Sequence, residues 1–268
     1  MPITTLSGIV AIFLYLVSLN LHGRAIRDRS ARIKAGPIVT MTGIGAALLH
    51  LLSAWTLVAR DSSYHFGIIE ISTLILAVIA LLAIITNTRK SLAILVMGVF
   101  PVAIVTLLLS MFISSNYPPQ QLSGGLAAHV ILSILAYSLF ALASVQAAFL
   151  AFQNYQLRHK HASAVIHRFP PLQDMEKLLF ELLWVAQILL SGAILAGFVF
   201  VDDLATRGLA HKIVFSILAW VVFAILLWGR HQLGWRGNTA IRGTLGGFLL
   251  LLLGFYGSKF VIEYLLGG

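Results

Sequence analysis

Cysteine is absent from the 268 residues. That excludes disulfides, thiolate metal sites, covalent cofactor attachment through sulfur and thiol nucleophiles, and it leaves the redox compartment undetermined. Charge is nearly as scarce. Only 10% of the residues are charged and 59% are apolar, whereas a soluble domain carries roughly a quarter charged residues. With a mean hydropathy of +0.96, a water-soluble globule could not bury that much apolar surface. The first twenty residues lack the basic leader and small-residue cleavage site of a secretory signal, so they read as a first membrane span rather than a segment to be removed. An internal repeat strong enough to argue an inverted-repeat transporter is also missing.

What the chain does have is apolar runs. A spanning helix needs about 20 mainly apolar residues, because its backbone polar groups must be satisfied within the helix. Eight segments qualify, at roughly 2–21, 37–59, 67–86, 91–114, 126–152, 177–201, 212–229 and 243–265. The expected fold class is therefore all-α, a single polytopic transmembrane domain of about eight helices. Cytoplasmic loops collect positive charge. Fourteen of the eighteen lysines and arginines fall on one side: Arg24, Arg27, Arg29, Arg32, Lys34, Arg89, Lys90, Arg158, Lys160, Arg168, Lys177, Arg230, Arg236 and Arg242. Arg60, Arg207, Lys212 and Lys259 fall on the other, which predicts both termini outside, on the non-cytoplasmic side. The net charge of +9 reads as topology and contact with anionic lipid headgroups. No basic stripe is interleaved with exposed aromatics, so no nucleic-acid partner is expected.

Residues 153–176 form the longest expected inner loop, with Pro170-Pro171 followed by Asp174 and Glu176, an acidic first turn for the sixth helix. The uncharged stretch Ser114 to Gly125 reads as a turn-rich outer loop.

Polar residues at membrane depth are costly and are functional candidates by default. Topology sorts the nine histidines. His22, His159, His161, His167 and His231 lie in or beside the basic inner loops and read as solvated or headgroup-facing; a metal site at His159, His161 and His167 lacks a carboxylate at helical spacing. His65 belongs to a short outer loop beside Arg60 and Asp61. His50 lies within the second span, about 14 Å below its outer boundary at 1.5 Å per residue. His129 and His211 are placed at one depth, at the outer ends of the fifth and seventh helices. Two imidazoles at matched depth are what a six-coordinate haem iron requires, with apolar walls around the ring. Arg60, Arg207 and Lys212 would suit the propionates. The alternative is that each histidine simply hydrogen-bonds a neighbouring helix.

Among the remaining residues, Glu70 is expected to pair with Arg60, and Lys259 with Glu263 at i, i+4 spacing. Gly192, Gly197, Gly246, Gly247, Gly254 and Gly257 read as close-packing positions. Trp228 and Trp235 suit interfacial anchoring. Trp220 lies deeper, as core packing or a macrocycle wall. Trp55 is off the face of His50.

The segment HVILSILAY from His129 to Tyr137, then QNYQLRHK, PPLQDMEKLLFELLWVAQILL, HKIVFSILAWVVFAILLWGR and GWRG in that order, resembles the cytochrome c assembly family of haem-handling membrane proteins, nearest its YpjD branch. The resemblance covers residues 126–265 well and the first four helices loosely. It implies a bacterial inner membrane, with both termini on its periplasmic side, and haem b bound non-covalently at the outer face, with His129 at one of the family's histidine positions. Lys212 and Trp220 match its lysine and tryptophan, and His211 stands where an aspartate-proline pair would be. Two departures matter. The Trp-rich outer motif of the cytochrome c synthases is replaced by FVFVDDLATRGLAHK, and the outward histidine expected beyond the last helix is absent from FYGSKFVIEYLL. These count against delivery of haem to an apocytochrome and leave haem binding, sensing or regulation.

Three functions stay open on the sequence. One is a haem-binding protein using His129 and His211, with His50, Arg60, Arg207, Lys212 and Trp220 in support. Another is a small-solute permease lined by His50 and Glu70. The third is a scaffold for a membrane protein partner. No outward Ser-His-Asp or metal-protease pattern is present, and catalysis is not needed to explain the residues.

Overall fold

The computed structural model describes residues 3–27, 29–60, 62–90, 93–113, 115, 117–159, 170–200, 210–261 and 263. Among them, eight helices are long and apolar enough to cross a membrane, and the chain is a polytopic, all-α membrane protein. They are α1 (Ile3–Arg27), α2 (Arg29–Val58), α3 (Ile68–Lys90), α4 (Ala93–Phe112), α5 (Gly124–Arg158), α6 (Leu172–Phe200), α7 (Ala210–Gln232) and α8 (Asn238–Leu252). After α8 the chain continues as a π-helical turn, Leu253–Gly257, and a last α-helical turn, Ser258–Phe260.

Several helices outrun their apolar segments. α5 extends to Arg158 and α6 begins at Leu172, so helix occupies much of the expected 153–176 loop; residues 160–169 lie outside the described residues. The local chemistry sets the ends. Ser123 caps α5 by accepting the Leu126 N–H at 3.4 Å, which satisfies one of the amides that a helix start leaves open. Pro170 and Pro171 stand just before α6, where a missing N–H costs nothing. Asp174 takes the acidic first-turn position, as expected. Glu176 does not share it. Its carboxylate is buried, accepts the Gly237 N–H and lies 3.8 Å from Arg230 Nη1. Arg230 in turn covers the Phe180 ring at 4.6 Å and donates to the Trp235 carbonyl at 3.1 Å.

The chain divides into two compact units, residues 1–121 and 122–267. In the first, α1–α4 pack around Tyr15, Ile84, Leu95, Phe100 and Leu107. Between α2 and α3 a two-residue hairpin, β1 (Ala59–Arg60) with β2 (Ser63–Tyr64), is closed by Ser62 at positive φ, and Tyr64 bridges to Gln120. In the second, α5–α8 pack around Phe140 and Phe223, stacked at 3.9 Å, with Leu142, Leu150, Met175 and Leu179. Phe13, Met41, Phe112 and Val199 are exposed, as lipid-facing residues should be. Glycines bring α8 close to α7: a Cβ at Gly247 would lie 2.7 Å from Phe223, and one at Gly254 2.8 Å from Phe215. Gly246 and Gly257 do not share this role, since a Cβ there would meet no atom within 4 Å.

Candidate functional site

The first unit has a polar core. Tyr15, Ser18 and His22 share one face of α1 by their spacing of three and four residues, and all three are buried. His22 was expected to be solvated beside an inner loop. Instead it is 2% exposed, because α1 continues to Arg27 and keeps it inside the helix. Both of its nitrogens are occupied: Nδ1–H donates to the Ser18 carbonyl at 2.8 Å, and Nε2 accepts from the Asn87 amide of α3 at 3.2 Å. It is a satisfied clamp between helices, at no cost in unpaired polar groups.

His50 is fully buried, as its position in the second span requires. Its Nδ1 is 3.1 Å from the Tyr15 hydroxyl, and the Tyr15 ring packs on Phe100 at 4.5 Å. Nε2 is buried without a well-directed hydrogen bond, although the Thr73 backbone of α3 interacts with the ring. A hydroxyl can donate or accept, so Tyr15 leaves the His50 tautomer open. Glu70 is also buried and pairs with Arg60, as expected, at 3.3 Å, while Arg60 Nε donates to the Leu57 carbonyl at 2.7 Å. The second Glu70 oxygen has no hydrogen-bond partner among the described residues. Trp55 faces Tyr64 at 6.3 Å rather than His50, and His65 Nε2 is 3.4 Å from the Ser63 hydroxyl.

In the second unit the decisive contact belongs to His129. Its Nδ1–H donates to the Ala193 carbonyl of α6 at 2.7 Å. A carbonyl only accepts, so the proton sits on Nδ1 and Nε2 carries the lone pair. The ring lies against Gly197, where a Cβ would be 3.1 Å from both Cε1 and Nδ1. Metal-binding histidines are held in this way, with the remote N–H on a carbonyl or carboxylate. The Lys212 charge acts on this ring. Lys212 Nζ is 5.1 Å from the centroid of the Phe255 ring, and among the described residues it has no carboxylate partner.

His211 is the second residue of α7 and is exposed. Consecutive helical residues point about 100° apart, so His211 diverges from Lys212. Among the described residues no hydrogen bond or ring contact joins it to His129. Trp220 is pinned across two helices: its Nε1–H donates to the Ser191 hydroxyl at 2.8 Å, and its carbonyl accepts from Gln187 at 3.2 Å. Arg207, His161 and His167 lie outside the described residues. His159 is exposed and bonded to its own helix through the Tyr155 carbonyl at 2.8 Å, and His231 is exposed. Among the described residues no three His, Asp or Glu side chains cluster to hold a metal ion.

Sequence reasoning missed Tyr137, whose buried hydroxyl has no hydrogen-bond partner among the described residues. It also missed the Ala193 carbonyl and Gly197 as the cradle of His129. Gly197 had been read only as a packing position; its place four residues after Ala193 was the one available signal.

Residues 38–266 match the family described as Cytochrome C assembly protein. The chain is 28% identical over 264 residues to the inner membrane protein YpjD of Escherichia coli (strain K12), covering 97% of this chain and 98% of that protein. It is 26% identical over 170 residues to protein HemX of Brevibacillus brevis, covering 58% of this chain and 60% of the relative. A 28.8 kDa protein of Azospirillum brasilense is 29% identical over 141 residues, 52% of each chain. No solved structure matches. The resemblance seen in the later helices thus extends across nearly the whole chain.

Proposed function

The chain belongs to the cytochrome c assembly protein family, and from that premise we propose that it is a haem-binding protein of the bacterial inner membrane, holding non-covalent haem b through Nε2 of His129. Family membership carries a haem-related assembly role. The observation that supports the finer reading is the His129–Ala193 hydrogen bond, which leaves an imidazole with one tautomer and one free donor atom. Haem, when bound, would supply an iron that accepts imidazole nitrogens and can change oxidation state.

The roles of the other residues follow from what already occupies them. Lys212 is the proposed partner of a propionate, since it has no carboxylate partner among the described residues. Arg60 is the weaker choice, because Glu70 already engages it. Arg207 stays a proposed propionate partner by its sequence position. His211 is the proposed second axial ligand, being exposed and without a competing hydrogen bond among the described residues. Trp220 stiffens the α6–α7 contact near the site. His50 is a further candidate imidazole within the first unit; its hydroxyl partner does not dictate which nitrogen is the donor. The positive-inside count supports an outer-face position for His129, His211 and both termini.

An absorption spectrum of the detergent-purified protein, loaded with haem and recorded oxidised and reduced, tests this. Two imidazoles predict a low-spin spectrum in both states. His129→Ala should abolish the Soret band, and His211→Ala should convert the spectrum to high-spin. A His211→Ala protein that stays low-spin would move the second ligand elsewhere. Wild-type protein with no Soret band after loading would overturn the reading and favour solute transport.

A further inference from the structure

Tyr137 of α5 stands in a cluster that the iron ligand does not use. The chain leaves α-helical geometry at Leu253–Gly257, one π-helical turn. Such turns are rare and gather at functional sites. Here the turn sets Phe255 and Tyr256 both against Tyr137, with ring centroids 5.7 and 6.0 Å away, and Phe248 adds a third ring at 5.5 Å. Inside these rings the Tyr137 hydroxyl is buried with no hydrogen-bond partner among the described residues. Buried hydroxyls are nearly always satisfied, so an orphan one points to a missing partner atom. The Tyr256 phenol is close enough to interact electrostatically with that of Tyr137. Lys212 reaches the same Phe255 ring from α7, and its charge acts on His129.

We propose that Tyr137, Tyr256 and Lys212 form a carboxylate-binding subsite for the acid end of an apolar amphiphile, which, on the haem reading above, is a propionate of the porphyrin. The ammonium supplies the charge, and the phenol O–H supplies a donor to an anionic oxygen. The three rings suit an apolar remainder. A phosphate or sulfate carries a second charge that one lysine does not answer, and a neutral carbonyl would leave Lys212 uncompensated. The Tyr137 hydroxyl is covered, so entry requires one of the surrounding rings to move, and two of them, Phe255 and Tyr256, sit on the π-helical turn.

The test titrates the purified full chain with haem b and with its dimethyl ester, which keeps the iron and removes the carboxylates. Tyr137→Phe keeps the ring packing and deletes only an unsatisfied hydroxyl, so its melting temperature should not fall. It should weaken binding of the diacid about tenfold, leave the ester unchanged and leave the Soret position in place. Lys212→Gln should show the same preference for loss of the diacid. If Tyr137→Phe weakens diacid and ester alike, or neither, the subsite is refuted while haem binding stands. If wild-type protein binds neither compound, the haem reading fails by itself, and palmitate decides the subsite: binding in wild type that is lost in Tyr137→Phe supports a fatty-acid carboxylate, and no binding overturns it.

Discussion

His129 and Ala193 are joined across α5 and α6 by a 2.7 Å hydrogen bond from Nδ1–H to a backbone carbonyl. In a regular helix that carbonyl also serves the amide four residues later, which is Gly197. The imidazole therefore sits over the place where residue 197 would carry a Cβ, 3.1 Å from Cε1 and Nδ1. The aim of Nε2 is set by the backbone of α6 and by one missing methyl group.

Replacing Gly197 by Ala should expose this dependence. In a helix interior the change ordinarily stabilises by roughly 0.5–1 kcal/mol. Here it should instead lose stability or push the ring outward by a few tenths of an ångström. The expected result is a shifted Soret band and haem affinity lowered by about tenfold, with helical content unchanged by circular dichroism. The control is Gly246→Ala, where a Cβ meets no atom within 4 Å. Equal behaviour of the two variants would remove Gly197 from the site.

Tyr15 and His50 form the corresponding buried contact of the first unit, at 3.1 Å. Tyr15→Phe should destabilise by about 1 kcal/mol, the net worth of a neutral hydrogen bond. His50→Ala should cost more, since it opens a cavity and leaves the phenol unpaired. In the double variant the two losses should fall short of additive, because each removes the same contact. Thermal unfolding in detergent measures all three, and simple additivity would show that the pair is not coupled.

Much of this was legible in the sequence because bilayer physics is blunt. Runs of apolar length gave eight helices, and Glu70 with Arg60 could be paired from loop positions alone. His50 was placed at depth by counting. What failed was anything set by side-chain direction. His22 looked like a loop residue because the apolar run thins before Arg24, yet α1 continues and turns the imidazole inward to Asn87. Glu176 looked like a helix-start acid because it follows two prolines, but its partners lie far along the chain, at Gly237 and Arg230. His211 and Lys212 are neighbours in sequence and so share a depth, but depth does not say which of them faces α5. Tyr137 gave no signal, since an aromatic residue in a span is unremarkable until its hydroxyl is found unpaired.

Membrane orientation is an expectation from the charge count and is open to direct measurement. The chain has no native cysteine, so single cysteines report without background. Gln121→Cys, in the α4–α5 connection, should react with a membrane-impermeant maleimide added to intact spheroplasts. Arg236→Cys, in the α7–α8 connection, should react only after lysis. The reverse pattern would invert the topology and put His129 on the cytoplasmic side.

The contact among Glu176, Gly237 and Arg230 should govern stability of the second unit rather than ligand binding. Gly237 has φ 58° and ψ −126°, a conformation that only glycine adopts without strain. Gly237→Ala should therefore cost roughly 1–3 kcal/mol, even though a Cβ there would meet no atom within 4 Å. Glu176→Ala removes the acceptor of the Gly237 N–H and should cost about 2 kcal/mol; the Arg230 share is small because that side chain is a third exposed and screened by solvent. Glu176→Gln keeps a carbonyl oxygen for the N–H and should cost less than Ala. Since all three changes act on one turn, Glu176→Ala added to Gly237→Ala should lower the melting temperature by less than the two shifts combined. The Soret band of haem-loaded protein should keep its position throughout, and a displaced band would mean that this turn supports the haem site after all.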